Sequence, residues 1–192
     1  MKKLILFALA AVMALPMFAG SNSKNWNFTV NDEGDCAVIR TYATNKDAQE
    51  AIKAVKLALN KQPFESKDVI STENDELVYR LKRNTQNRYN PFAGNFRESL
   101  SFRFSAKWVN GNILVTVSDM MLESNYLGFG QRQEIENLSI KIAQYEEAAY
   151  KVANGKGKEK KDAKDVVEDL NESLNLCQEE LDKVLDAIQR AL

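Results

Sequence analysis

The sequence contains no histidine, and that single absence excludes a large share of hydrolytic and metal chemistry. Ser-His-Asp and Cys-His arrangements both need an imidazole to carry the proton, so neither can be built. The commonest transition-metal ligand goes with it, and no metal site and no cofactor are expected. Cysteine is nearly absent as well: the 192 residues hold 2, Cys36 and Cys177. A disulfide between them can persist in an oxidising compartment. Spacing along a chain does not show whether two Cα atoms come within bonding reach, so a Cys36–Cys177 bridge stays open. Cys177 reads equally well as a small core residue. Charge of one sign is not in excess either. Without Lys2 and Lys3, which belong to a leader described next, 24 basic residues face 27 acidic ones, a net charge of −3. That balance argues against a dedicated nucleic-acid binder. Glycine-rich phosphate loops are missing too. Gly128-Phe129-Gly130 lacks the third glycine of a dinucleotide fingerprint and the Lys-Ser/Thr of a P-loop, and reads as a flexible joint.

What is present begins with a leader. Residues 1–20 place Lys2 and Lys3 before an unbroken apolar run of 12 residues, Leu4 to Leu15, broken by Pro16 and followed by Ala19 and Gly20. This is the layout of a cleavable signal peptide, cut after Ala19 or Gly20, although Met17 is larger than the residue usual three before the cut. The alternative, a retained anchor, fails on length, since ~30 Å of hydrocarbon needs about 20 apolar residues. No cysteine follows the apolar run, which disfavours lipid attachment. The mature chain keeps 172 of the 192 residues, has no transmembrane segment, and is expected in the periplasm or cell envelope, or outside the cell.

Four regions follow from patterning: the signal peptide, a loose polar lead-in over 21–34, an α+β sheet domain over 35–130, and a helical hairpin over 131–192. Within the lead-in, Trp26 and Phe28 suggest a short strand, and Asn31 to Asp35 a turn, because the ligand spacing of a calcium loop is missing. Asn27-Phe28-Thr29 fits a glycosylation sequon, but a bacterial leader gives it no weight. Ala37 to Ala43 is β-branched and aromatic, hence a strand. Thr44 or Asn45 caps a helix to about Lys61, with Ala48, Ile52, Val55 and Leu59 as its buried stripe. Pro63 stops it. Strands are expected over 68–72, 76–83, 100–108 and 113–121. In them Leu77, Tyr79 and Leu81, then Leu100, Phe102, Phe104, Ala106 and Trp108, then Ile113, Val115 and Val117 alternate with polar residues. One face therefore meets a core and the other meets water. Asn110-Gly111 is a hairpin turn in which both residues tolerate positive φ.

The remainder is helical. Ile135, Leu138, Ile142, Tyr145, Ala149 and Val152 recur at spacings of three and four. So do Val167, Leu170, Leu174, Cys177, Leu181, Val184 and Ile188, which gives each segment a coiled-coil-like seam. A polar, basic linker over 154–161 lets the chain reverse into an antiparallel hairpin. The seam is read as buried against its neighbour or the sheet in preference to self-association.

The leader MKKLILFALA…LPMFA, the helix opening Thr44-Asn45-Lys46-Asp47-Ala48-Gln49-Glu50, and the hairpin from Phe104 through Asn110-Gly111-Asn112 into Ile113–Asp119 together resemble a group of small exported proteins of Bacteroidota. That group is classed as a domain of unknown function. The likeness covers roughly residues 35–150 and implies a TATA-binding-protein-like fold. It implies no activity, because such folds host unrelated functions. The helix after Lys161 departs from that unit and reads as an added interaction element.

No catalytic residue is indicated. The candidate binding residues are Arg80, Lys82, Arg103 and Lys107 on the outward strand face, with Ser101, Ser105 and Thr116 between them and Arg40 joining from the first strand. An expected loop over 84–98 adds Arg88 and Arg97 interleaved with Tyr89, Phe92 and Phe96. Cations among aromatics can hold an anionic polymer or glycan by ion pairing and stacking. The plainer reading is a solvated face that deters edge pairing. A protein partner docking on the C-terminal helices competes with ligand capture. Both make the chain a non-enzymatic binding or interaction protein. The alternative from another class is a histidine-independent hydrolase acting through two carboxylates, whose first support would be a cleft where such groups converge. Glu134, Glu136, Glu146 and Glu147 beside basic residues read as solvated helix charge.

Overall fold

The computed structural model describes residues 24–31, 34–90, 94–127 and 132–192. The leader, Phe92 and the Gly128–Gly130 joint lie outside the described residues. In chain order the elements are β1 (Thr29–Val30), β2 (Cys36–Ala43), α1 (Ala48–Asn60), β3 (Ser66–Thr72) and β4 (Glu76–Asn90). Then come β5 (Gly94–Val109), β6 (Asn112–Leu127), β7 (Arg132–Asn137), α2 (Leu138–Asn154) and α3 (Gly157–Gln189). Among the described residues seven strands form one antiparallel sheet in the order β1-β2-β6-β5-β4-β3. Two strands share one side of β6: β2 pairs with its first half and β7 with its second.

The centre of the sheet forms as its period-two pattern requires. Leu77, Tyr79, Leu81, Leu100, Phe102, Phe104, Ile113, Val115 and Val117 are all at or below 1% exposure and join one core cluster. Asn110 and Gly111 turn β5 into β6 at φ 48° and 80°. α1 starts later than its polar lead suggests. Asp47 caps it, accepting from the Glu50 amide at 2.9 Å, while Thr44 and Asn45 lie before it.

Four regions differ from the sequence expectation, the first being the linker expected over 154–161, of which all from Gly157 on belongs to α3. The stretch 84–98 is no loop: β4 and β5 run on as a hairpin, and backbone pairing continues past the apolar core. A bulge at Thr85 and another near Asp119, at φ 49°, re-aim the strands there. Residues 132–137 are strand, not helix, and α2 begins where Asn137 accepts the Ser139 amide at 2.9 Å. Ile135, assigned to the helical stripe, sits on the sheet and is exposed. The lead-in is anchored, because the Trp26 indole donates to Asn171 Oδ1 at 3.2 Å and the Asn27 amide to Gln178 Oε1 at 3.2 Å. Trp26 and Phe28 are buried, and Tyr145 meets Trp26 edge-on at 5.2 Å.

The hairpin of α2 and α3 forms, but it is no appendage. Leu174, Cys177, Leu181, Val184, Leu185 and Ile188 of α3 belong to the same core cluster as the sheet and α1. A side chain of this kind contributes about 1.5–3 kcal/mol when fully buried. One inward strand position carries a cation: Arg83 donates to Glu180 of α3 and, at 3.3 Å, to Gln62 Oε1, with the Phe64 ring 5.7 Å from its guanidinium. Burial would raise Glu180, but hydrogen bonds from Lys183 and Arg83 outweigh it and hold the carboxyl below 4.5.

Ending the chain after Gly155 should abolish cooperative unfolding, because it removes one wall of the core. Leu181→Ala should cost about 2–5 kcal/mol in urea denaturation. A depressed carboxyl stabilises above its ordinary value and loses that contribution as pH falls through the folded value. Glu180→Gln should therefore lower stability at pH 7 and flatten the acid side of the stability–pH curve.

Candidate functional site

All three helices contribute buried residues to one core cluster, which lies on one side of the sheet. Strand alternation assigns the opposite face to β2–β6–β5–β4–β3 residues that no helix covers. Cross-strand register places Lys107 opposite Glu76 and Leu114, Ser105 opposite Val78 and Thr116, and Arg103 opposite Arg80 and Ser118. Lys82 and Arg97 continue the same face. Three of these cations are answered locally: Arg80 meets Asp119 at 3.6 Å, Lys82 meets Glu123, and Arg97 meets Glu65. Burial raises Glu65, yet hydrogen bonds from Arg97 and Ser99 and the nearby charges of Arg97 and Lys82 leave it below its ordinary value. Among the described residues Arg103 and Lys107 have no carboxylate within 4 Å.

The expected platform is thus only partly assembled. Arg80, Lys82, Arg97, Arg103 and Lys107 share the open face. Arg88 and Phe96 pair with each other on the helix-bearing face, because the bulge at Thr85 and the alternation of β5 turn them inward. Arg40 also lies on that side, opposite Val115. Tyr89 is a strand residue in register with Asn95, and Phe92 lies outside the described residues.

On the helix-bearing side, where the long strands outrun the apolar core, lies a cleft of about 390 Å³ that sequence reading missed. Its floor is Glu98, 4% exposed. Oε1 of Glu98 accepts from Ser173 at 2.7 Å, Gln86 at 2.9 Å and Thr85 at 3.4 Å, whereas among the described residues Oε2 accepts only from Ser124, at 3.3 Å. Gln86 Oε1 is buried and accepts from nothing. Phe96 and Tyr126 form one wall, ring centroids 5.0 Å apart, and Asp169 of α3 joins the lining. Arg88 and Lys141 line it too, but are held by Glu172 and Glu136. The signal for Glu98 was available: running the period of Phe104, Phe102 and Leu100 backwards puts Glu98 and Phe96 on the inward face.

A larger groove of about 680 Å³ separates α2 from α3, with Lys151 and Glu159 on its rim. Among the described residues no cluster of three or more His, Cys, Asp or Glu is arranged to hold a metal ion. Likewise no described helix is long and apolar enough to cross a membrane.

An antiparallel sheet with helices on one side defines an α+β protein, and the solved structures narrow the class. The chain is similar to a TBP-like protein from Parabacteroides distasonis ATCC 8503, 13% identical, with a TM-score of 0.50 over 84% of this chain and 97% of that one. It is also similar to a DUF4468 family protein from Bacteroides ovatus ATCC 8483, 10% identical, with a TM-score of 0.43 over 82% and 88% of the two chains. No family model and no curated protein matches the sequence. The fold is TBP-like, as the family resemblance implied, and at this identity the likeness speaks for fold alone.

Cys36 and Cys177 are both free thiols buried in the core. Burial pushes Cys36 up to about 12 and Cys177 well above its ordinary value, the latter helped by the charge of Glu98. Thiolate is scarce at both. Native protein should resist iodoacetamide, and unfolding without reductant should release two reactive thiols by mass. Two unreactive sulfurs after unfolding would mean a bridge.

Proposed function

We propose that the chain is an exported, non-enzymatic binding protein of the bacterial cell envelope, and that its helix-free sheet face captures an anionic polymer or glycan. The observation that carries this reading is the pairing of Arg80 directly with Arg103 across β4 and β5. Like charges directly opposite in a sheet destabilise it. Asp119 answers Arg80 but leaves Arg103 without a carboxylate within 4 Å among the described residues, and Lys107, opposite Glu76, forms no ion pair within that distance either. A polyanion supplies the missing counter-charges, and Ser105, Thr116 and Ser118 lie between as hydroxyl donors. The C-terminal seam is taken up by the chain's own core, which favours the open face over that seam as the surface for a large anionic ligand.

Hydrolysis of a glycan draws instead on the cleft, where Glu98, Glu134 and Asp169 meet. Oε1 of Glu98 is taken by three donors and Glu134 is ion-paired with Arg132, so these two do not supply the free pair of carboxyls that flanks a glycosidic bond. Binding is the reading kept.

Charge reversal at Arg103 alone, which sets a carboxylate opposite Arg80, should sharply reduce retention on a heparin or anionic-polysaccharide column while leaving the melting temperature unchanged or raised. Retention equal to wild type at matched salt would remove the reading.

A further inference from the structure

We propose that the cleft beneath β4, β5 and β6 is a binding site for a small aliphatic amine, with the ammonium received by Glu98 and Gln86. This site is on the opposite side of the sheet from the polyanion face and stands independently of it.

The first ground is charge. Glu98 is 4% exposed, and among the described residues no cation lies within 4 Å of it. Buried charges in proteins are normally paired, because neutral donors only partly replace the water lost. The cations nearest the cleft are already committed, Arg88 to Glu172 and Lys141 to Glu136. Asp169, also on the lining, is exposed, and among the described residues it has no cation within 4 Å either. A cation brought by a ligand completes this set, since the lining's own cations, Arg88 and Lys141, are spent on Glu172 and Glu136.

The second ground is the inventory of acceptors. A carboxylate offers about four lone-pair directions. Oε1 of Glu98 receives three donors, but Oε2 receives one, from Ser124 at 3.3 Å. Beside it, Gln86 spends its amide nitrogen on Glu98, which leaves its own Oε1 buried without a donor. Two open acceptors on one small floor match the three donors of a primary ammonium better than a single hydroxyl. The third ground is the wall: Phe96 and Tyr126 offer ring faces and edges to an alkyl stem and favour a nearby positive charge. With Asp169 also on the lining, a diamine has a second carboxylate to meet and a monoamine does not.

A purely structural role for this network, joining Ser173 of α3 to the sheet, predicts no ligand. Calorimetry of the purified protein with putrescine, butylammonium and butan-1-ol at neutral pH and low salt separates the two. Putrescine and butylammonium should bind, putrescine more tightly, and uncharged butanol should not. Glu98→Gln should weaken putrescine about tenfold or more. Arg103→Glu, on the other face, should leave the affinity unchanged. No heat and no shift in melting temperature with millimolar putrescine, or butanol binding as well as butylammonium, would overturn the site. So would a folded Glu98→Gln protein with undiminished affinity. Should that variant fail to fold, the wild-type comparison of ammonium with alcohol still decides.

Discussion

The stripe of Leu174, Cys177, Leu181, Val184, Leu185 and Ile188 on α3, buried with the sheet and α1, is the interaction on which the rest of the molecule depends. α1 is a single helix of 13 residues and cannot cover the apolar faces of strands that reach 16 residues. α3, with 33 residues at about 1.5 Å each, supplies that length. Its contacts with β4 and α1 join residues far apart in sequence. Because α1, α2 and α3 gather on one side, the other face of the sheet is left to water.

The two faces handle charge differently. On the open one, Arg80, Lys82 and Arg97 find carboxylates among their neighbours, in pairs worth about 0–1 kcal/mol each where solvent screens them. On the covered one a charge must be answered fully or it costs several kcal/mol. Arg83 meets that demand with Glu180, Gln62 and the Phe64 ring. Glu98 meets it only with hydroxyl and amide donors. The apolar core stops at Leu100 and Leu122, while the strands continue to Gly94 and Leu127. A cleft opens where strand outlasts core, and the unmatched polar groups lie there.

Much of this was legible in the sequence. Strict alternation from Leu77 to Val117 gave the sheet and its two faces, and the Asn110-Gly111 turn gave its central hairpin. The three-and-four spacing from Leu138 to Ile188 gave both C-terminal helices. What stayed hidden has physical causes. Backbone pairing of 84–90 with 94–99 leaves no hydrophobic trace, because neither face of that extension meets the apolar core. Single-residue bulges reverse side-chain direction, and this took Arg88 inward. Glu134 and Glu136 in β7 mimic helix charge, since an edge strand needs no apolar face. The role of α3 was visible as a stripe, but a stripe does not name its partner surface. Glu98 was legible in principle, as a charged residue at an inward position of an apolar period.

The central claim is that α3 and the sheet share one core. Urea unfolding followed in parallel by far-ultraviolet circular dichroism and by Trp26 fluorescence in a Trp108→Phe background tests it directly, since the Trp26 indole is bonded to Asn171 of α3. A shared core predicts one transition with coincident midpoints for both probes. Loss of the Trp26 signal at lower urea, with the sheet still folded, would show α3 to be a separable layer and contradict the account.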